Sequence, residues 1–394
     1  MSEVHPDTLL VGGGGPAPEP WPDGMSSPIF QSVTYDLHDR AYADIERTGG
    51  ESTWWYTRLR NPTIEAAATK LAALEHADGA VVFSSGMAAI ATTLLALVGA
   101  GGRVVASRDL YGDVFTLFAG ELPRHGRSTS FVAIDDIDGW ERELAAGADL
   151  LYVETLSNPM LRVANLPRLA ELARGAGAIA VADATFTPPT ELRALHHGFD
   201  VVLHSATKYL NGHSDLVAGA MAGRADAVSA VRAQAAILGG CIDPHGAWLL
   251  DRGLKTLAVR MQRQRENALA IARALAAHAE VEAVAHPCLE DHPDHALART
   301  LLPAGCPLLS FRVRGGDARA VALLGKLEIV RQATSLGGVE TLASAPHNTS
   351  HLGLSVDERR AAGILPGTIR LSVGIEHAPD LLADLTSALD ATRP

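Results

Sequence analysis

The chain has 394 residues, too many for one typical domain and comfortable for two. Its 33 Lys and Arg stand against 45 Asp and Glu, a formal net charge of −12. That balance argues against nucleic acid or an anionic membrane as the main partner, but leaves room for a small anion in a locally basic pocket.

Three scattered cysteines, Cys241, Cys288 and Cys306, form no C-x-x-C pair, so neither a disulfide framework nor a zinc site is indicated and the cytoplasm is the expected setting. Met1–Val11 carries Glu3 and Asp7 and no basic start, so a secretory signal is not expected. No run approaches the roughly twenty apolar residues of a membrane helix.

In chain order, residues 1–55 read as an irregular arm. Gly12–Gly15 followed by Pro16 lacks the Gly-Lys-Ser/Thr ending of a phosphate loop and reads as loop alone; the Pro-rich Pro16–Pro22 continues it. So long an arm is expected to lie on another subunit. Trp54–Thr63 is dense in aromatic and basic groups. Tyr56 and Arg58 read either as an arm packing on its neighbour or as a phosphate clamp, a guanidinium plus a phenol. Asn61-Pro62 predicts a helix start, with Ile64, Leu71 and Leu74 on its apolar face and an end near Asp78-Gly79.

A βα rhythm follows. Strands are predicted at Ala80–Phe83, Arg103–Ala106, Phe131–Ile134, Asp149–Val153, Ala178–Ala182 and Val201–Leu203, with helices at about Gly86–Val98, through Phe118 and across Leu166–Arg174. Such alternation implies a mostly parallel sheet covered on both faces. Ligands of open α/β sheets collect beyond the carboxyl ends of strands, where Tyr111, Glu154, Asn158, Asp183 and Lys208 fall. The turn Ser84–Met87 offers a helix start to an anion, with Gly86 permitting close approach. Lys208, flanked by Ser205 and Thr207, suits an amine held as a Schiff base beside a phosphate, or else a surface lysine in a polar turn.

From Arg224 the chain turns helical. Thr256–His278 is a long helix, and strands (Leu309–Val313, Ile369–Val373) then mix with helices (Ala318–Leu327, Asp380–Asp390). The expected domains are an arm over 1–55, a large domain over 56–250 and a smaller α+β domain over 251–394. Glu290–His295 has metal-ligand residue types, but Pro293 breaks a regular face and the segment reads as an exposed turn; no metal is expected. His196-His197 before Gly198 reads as a helix end.

A lysine after a strand, an acid closing the preceding strand, a Gly-Met turn and an aromatic in the next βα loop together resemble the fold-type I pyridoxal-phosphate enzymes. More narrowly, Tyr56–Thr63, Ser84–Ala89, Asp183–Phe186, His204–Asp215, Leu250–Met261, Ser335–Leu342 and Ile369–Glu376 resemble the trans-sulfuration (Cys/Met metabolism) family. The family contains cystathionine γ-lyases and γ-synthases, methionine γ-lyases and O-acylhomoserine sulfhydrylases.

The resemblance implies pyridoxal 5'-phosphate as cofactor and a mostly parallel, seven-stranded type of sheet. It implies that Lys208 binds the cofactor aldehyde and removes the substrate Cα proton, that Asp183 pairs with the ring nitrogen, that Tyr111 stacks on the ring and that Thr185 lies near its oxygen. The phosphate would be held by Gly86 and Met87 N–H groups, Ser205 and Thr207, with Tyr56 and Arg58 from the adjacent subunit; a dimer of dimers is implied. Arg370 would grip the carboxylate of a small amino-acid substrate, aided by Asn158 and Ser335.

The implied activity is γ-elimination on a sulfur-containing or γ-substituted amino acid, with γ-replacement on an activated homoserine as the alternative. A non-catalytic relic is the third option, opposed by intact Lys208, Asp183, Tyr111 and Arg370. Four departures bear on the substrate. Thr334 stands where cystathionine enzymes of the family carry Glu. Asp113 stands where methionine γ-lyases carry Cys. Ala184 replaces an Asn after the cofactor aspartate, and Pro346–His351 replaces a more apolar segment.

Overall fold

Seven strands form the larger sheet: β1 (Gly79–Phe83), β2 (Arg103–Ser107), β3 (Ser128–Val132), β4 (Leu150–Glu154), β5 (Ile179–Asp183), β6 (Val201–His204) and β7 (Gly219–Gly223). In this computed structural model, which describes residues 6–11, 24–37, 39–48, 50, 53–352 and 355–393, they lie in the order β1-β7-β6-β5-β4-β2-β3. Only β7 runs against its neighbours. The expected mostly parallel α/β architecture is therefore present. The strand expected at Phe131–Ile134 begins three residues earlier, at Ser128, pairing with Arg103 of β2.

Both faces of this sheet are buried, as the alternating side chains show. Val82, Val105, Leu151, Val153 and Val202 pack with Leu71, Leu74, Leu169 and Leu250 on one face. Val81, Phe83, Val104, Leu150, Tyr152 and Leu203 pack with Ile90, Leu94, Phe118 and Val231 on the other. Strand β7, Gly-Ala-Met-Ala-Gly, carries no β-branched residue and was not read from the sequence. Its glycines are steric necessities: a Cβ on Gly219 would lie 2.0 Å from the Ser85 carbonyl oxygen, and one on Gly223 2.5 Å from that of Asp200.

The second sheet joins β8 (Val281–Ala285), β9 (Leu308–Val313), β10 (Arg331–Gln332), β11 (Leu342–Ser344) and β12 (Thr368–Ser372) in the order β10-β11-β12-β9-β8. It is antiparallel apart from β10 with β11. Helix Leu257–Ala276 reaches both halves: Leu257 and Met261 join the core of the large sheet, Ala268, Ile271 and Leu275 that of the small one.

The region 1–55 is not irregular throughout. Helices occupy Pro6–Val11 and Asp39–Thr48, and Leu10 is buried in the chain's own core. Gly12–Gly15 and Pro16–Pro22 lie outside the described residues. Among the described residues no helix is long and apolar enough to cross a membrane, and no group of His, Cys, Asp and Glu is placed to hold a metal ion. Of the Glu290–His295 cluster, Asp294 is paired with Arg162 at 2.7 Å.

Helix Pro62–Glu75 starts as expected. Asn61 accepts from the N–H of Thr63 and of Ile64 with Pro62 in the first turn, a cap worth about 1 kcal/mol. Its Lys70 is buried and paired at 2.5 Å with Asp251 of helix Pro244–Leu254, and both side chains are almost wholly out of solvent. Removing one partner leaves the other charged and buried. Lys70→Ala is expected to lower unfolding stability by roughly 3–5 kcal/mol in urea titrations, and Lys70→Met with Asp251→Leu to recover most of it. A single-mutant loss under about 1 kcal/mol would mean that the pair is effectively hydrated.

Candidate active site

The large sheet ends on a row of polar groups because β4, β5 and β6 stop together, each handing a different side chain to one edge. Register pairs Glu154 with Asp183 at the ends of β4 and β5. Both carboxylates are buried. Asp183 accepts from the Tyr152 hydroxyl (3.1 Å) through Oδ2, and from the Thr185 N–H (2.9 Å) and hydroxyl (2.5 Å) through Oδ1. Glu154 accepts from the Tyr111 backbone N–H at 2.7 Å. Burial first, and the Asp183 charge second, push Glu154 well above the usual carboxylate range. Glu154 was placed at this edge from sequence but given no role; it ties the Tyr111 loop to the sheet.

Lys208 follows β6. Its Nζ donates to Ser335 Oγ at 2.7 Å. Burial, then the charge of Arg370, lower its pKa to about 8. Three neighbours fix its backbone. Arg260, itself buried, donates to the carbonyls of Tyr209 (2.8 Å) and Gly253 (2.8 Å). Gly212 is left-handed (φ +74°), with Arg260 in the space a Cβ would take. Gly337 (φ +84°) lies so close behind the lysine that a Cβ would sit 2.8 Å from the Lys208 carbonyl carbon. Gly337 and Arg260 were not singled out from the sequence. The Gly337-Gly338 pair was the available signal for the first.

Arg370, on β12, is buried at 5% exposure despite its charge. It donates to Asn158 Oδ1 (3.2 Å) and to the Ser335 carbonyl (2.8 Å), and burial brings its pKa down to about 10. Ser335 thus holds the lysine with its hydroxyl and the arginine with its carbonyl. Its backbone is in the left-handed region (φ +86°), which a serine adopts at some cost.

The anion cradle is part built. Ser85 caps helix Gly86–Leu97, accepting from the Ala88 N–H at 3.0 Å. The first N–H groups of the helix, on Gly86 and Met87, therefore have no intrahelical acceptor. A Cβ on Gly86 would meet Ser205 Cβ at 2.9 Å, so only glycine lets the two segments close. The Ser205 N–H donates to Thr185 Oγ1 at 2.8 Å. The Thr207 hydroxyl bridges the N–H (2.9 Å) and carbonyl (3.1 Å) of Ala218.

Tyr56 and Arg58 pack on each other, and no hydrogen bond joins either to Lys208 among the described residues. Arg58 lies over the Tyr56 ring, 5.4 Å from its centroid, and donates to the Ala236 carbonyl on helix Ala225–Leu238.

Above the edge stands Tyr111, 40% exposed. Its hydroxyl donates to Asp113 Oδ2 at 2.8 Å. Burial and that carboxylate raise the phenol to about 12. Pro346–His351 lies alongside: a Cβ on Gly112 would be 3.1 Å from the Ser350 carbonyl oxygen. His351 is buried, with its pKa down to about 4 through desolvation and Arg370.

A desolvated lysine bound to a neutral hydroxyl, a buried aspartate at the end of the neighbouring strand, a helix start closed by Gly86 and a buried arginine fit the aldehyde, ring nitrogen, phosphate and substrate of the fold-type I pyridoxal-phosphate enzymes. The family model for Cys/Met metabolism PLP-dependent enzyme matches residues 7–390, and the chain belongs to that family. It is an enzyme whose cofactor is pyridoxal 5'-phosphate.

It is 35% identical over 369 residues to L-methionine gamma-lyase of Fusobacterium nucleatum subsp. polymorphum, covering 93% of each chain. It is 36% identical over 390 residues to cystathionine gamma-lyase of Bacillus subtilis (strain 168), covering 97% of this chain and 98% of the other. Its fold superposes with a TM-score of 0.93 on cystathionine gamma synthase from Xanthomonas oryzae pv. oryzae, solved with aminoacrylate and cysteine, at 36% identity over 99% and 98% of the two chains.

The lysine's environment has a measurable sign. The ammonium is disfavoured by burial and by Arg370, so the amine is free above about pH 8. In cofactor-stripped protein, uptake of pyridoxal phosphate followed by absorbance is expected to accelerate with a midpoint near pH 8. Arg370→Gln should move that midpoint upward, since losing a cation makes protonation easier. A midpoint unmoved, or moved down, would show that the two cations do not interact.

Proposed function

We propose that the chain catalyses γ-elimination on a sulfur-containing or γ-substituted amino acid, a cystathionine γ-lyase-like reaction. The observation that carries it is the Lys208 amine, held by Ser335 between Asp183's sheet edge and the Arg370–Asn158 pair. Lys208 and Tyr111 are the catalytic groups. Asp183, Thr185, Ser205, Thr207, Gly86, Met87, Tyr111 and Lys208 bind the cofactor. Arg370, Asn158 and Ser335 bind the substrate.

Bound pyridoxal phosphate supplies an electron-withdrawing ring that accepts the electron pair left at the substrate's Cα. Asp183 would pair with the ring nitrogen and keep a proton on it, and Thr185 and Tyr152 hold Asp183 in place. The N–H groups of Gly86 and Met87, with the hydroxyls of Ser205 and Thr207, would take the phosphate, Thr207 by turning its proton from the Ala218 carbonyl. Arg370 takes the substrate carboxylate with two parallel N–H donors, oriented by Asn158.

Lys208, freed as a neutral amine, removes the Cα proton and later one from Cβ; an amine of pKa about 8 is matched to that task near neutral pH. The group on Cγ then leaves with its bonding pair, and Tyr111, protonated because its pKa is about 12, donates the proton it needs. Water entry completes release of a 2-oxo acid and ammonia.

The likeness to a cystathionine gamma synthase favours γ-replacement as the second reading, in which a thiol takes the place of water. Purified protein is expected to be yellow, and Lys208→Ala to lose more than a thousandfold in kcat. With methionine, cystathionine and O-acetyl- or O-succinylhomoserine, oxo acid formed without added thiol supports elimination. A new amino acid formed only with thiol supports replacement. No reaction with any of them overturns both.

Arg58 spends a guanidinium N–H on the Ala236 carbonyl of its own chain, and we assign Tyr56 and Arg58 to the phosphate of the adjacent subunit in a dimer, with a dimer of dimers as the expected assembly and the cytoplasm as its setting. Arg58→Ala and Lys208→Ala proteins, each inactive alone, are expected to regain about a quarter of wild-type activity when mixed and reassembled, because one site of each hybrid dimer is intact. No recovery in confirmed hybrids would place Arg58 in its own chain's chemistry.

A further inference from the structure

Asp113 is a charged group that the γ-chemistry above does not use. It lies in the first turn of helix Gly112–Thr116, where an acid also suits the helix end. That alone explains its residue type but not its partner. The Tyr111 hydroxyl donates to Asp113 Oδ2 at 2.8 Å, so the carboxylate is fixed at the outer end of the phenol. The phenol in turn lies within the electrostatic reach of both Arg370 and Glu154. Arg370 is buried, bonded to Asn158 and Ser335. Tyr111 therefore has a guanidinium within electrostatic reach and a carboxylate bonded to its hydroxyl, two charges of opposite sign around one side chain. Next to the tyrosine's loop lie Ser350, whose carbonyl oxygen packs against Gly112, and then His351, a buried imidazole kept neutral above about pH 4 by desolvation and by Arg370.

A carbonyl oxygen and a neutral imidazole do not cancel the Asp113 charge. An amino acid whose α-carboxylate is held at Arg370 extends its side chain toward the outer end. There an ammonium or another hydrogen-bond donor meets an acceptor, and a carboxylate meets a like charge.

We propose that Asp113 is a specificity-determining residue, selecting amino acids whose side chain ends in a cation or a hydrogen-bond donor over those ending in an anion. This rests on the substrate orientation of the proposed function, so its test is chosen to stand apart from turnover. Non-reacting amino acids without a leaving group at Cγ serve as probes: L-lysine, L-norleucine and L-2-aminoadipate, with cationic, neutral and anionic ends. Their Kd values for the holoenzyme are measured by calorimetry with wild type and with Asp113→Asn, which keeps an acceptor for Tyr111 but loses the charge.

Wild type is expected to bind lysine more tightly than 2-aminoadipate. In Asp113→Asn that preference should fall about tenfold, roughly the effect of one partly screened charge contact, with norleucine unchanged within about twofold. A purely structural role for Asp113 would weaken all three probes together, and a lysine-to-aminoadipate ratio equal in the two proteins overturns the proposal. Absence of turnover on the γ-substituted substrates, with the ratio still shifting, would remove the γ-elimination reading and leave this assignment standing.

Discussion

One turn holds the two halves of the site together. Ser335 accepts the Lys208 ammonium on its hydroxyl and the Arg370 guanidinium on its carbonyl, in a left-handed backbone conformation that L residues other than Gly, Asn and Asp rarely adopt. Lys208 hangs from the large sheet and Arg370 from the small one, so their separation is set by a residue belonging to the second half. Gly337, two positions on, lets this turn press against the lysine's own backbone. A larger residue there would push the two sheets apart at the point where chemistry needs them closest. Strain of this kind survives only where surrounding contacts over-determine it. Here they are two charged hydrogen bonds and the packing of Leu336, which is itself buried in the main core.

The same turn explains the electrostatics. Two cations share a poorly hydrated region, and among the described residues neither is hydrogen-bonded there to a carboxylate. Lys208 has a hydroxyl, and Arg370 has an amide oxygen and a carbonyl. Neutral acceptors satisfy hydrogen bonds without stabilising charge as an anion would. The lysine yields first, because an ammonium loses its proton more readily than a guanidinium. The arginine keeps its charge and waits for one. A site arranged this way holds a reactive amine and an unfilled demand for a carboxylate at once, which is what an enzyme working on an α-amino acid requires.

Much of this was legible in the chain, and what was not has physical causes. The strand ends gave away Asp183, Glu154 and Lys208, because a run such as Val-Val-Leu followed by polar residues has only one place to stop in an α/β sheet. Asn61-Pro62 marked a helix start for the same local reason. Strand β7 escaped because its residues are small, and its glycines are required because the Ser85–Gly86 turn crowds one end and the Asp200–Val201 backbone the other, a tertiary demand without a local signature. Strands β10 and β11 are two and three residues long, too short for alternation to register. The arm was read as irregular, yet Leu10 is buried against helices far along the chain; short helices stabilised by packing carry little periodicity of their own. Of the site, residue types were readable and partners were not. That Thr207 spends its hydroxyl on Ala218, and that Ser335 rather than an acid meets the lysine, are facts of three-dimensional proximity.

Two of the departures from the family pattern, Asp113 and Pro346–His351, fall in one region, and geometry gives them a common meaning. Asp113 is bonded to Tyr111, and the segment containing Ser350 and His351 packs beside Gly112. The groups handling the Cα proton and the ring lie on the other side, on strands fixed by two buried faces. Change is tolerated where backbone is exposed and side chains reach into solvent, as at Asp113, and is costly where a Cβ would collide, as at Gly86, Gly219 and Gly337. Chemistry common to a family can thus stay anchored in the sheet while the outer wall alters which side chain is welcome. In this chain the wall carries a carboxylate that its tyrosine holds in place, and the substrate's far end has to come to terms with that charge before the lysine ever meets its proton.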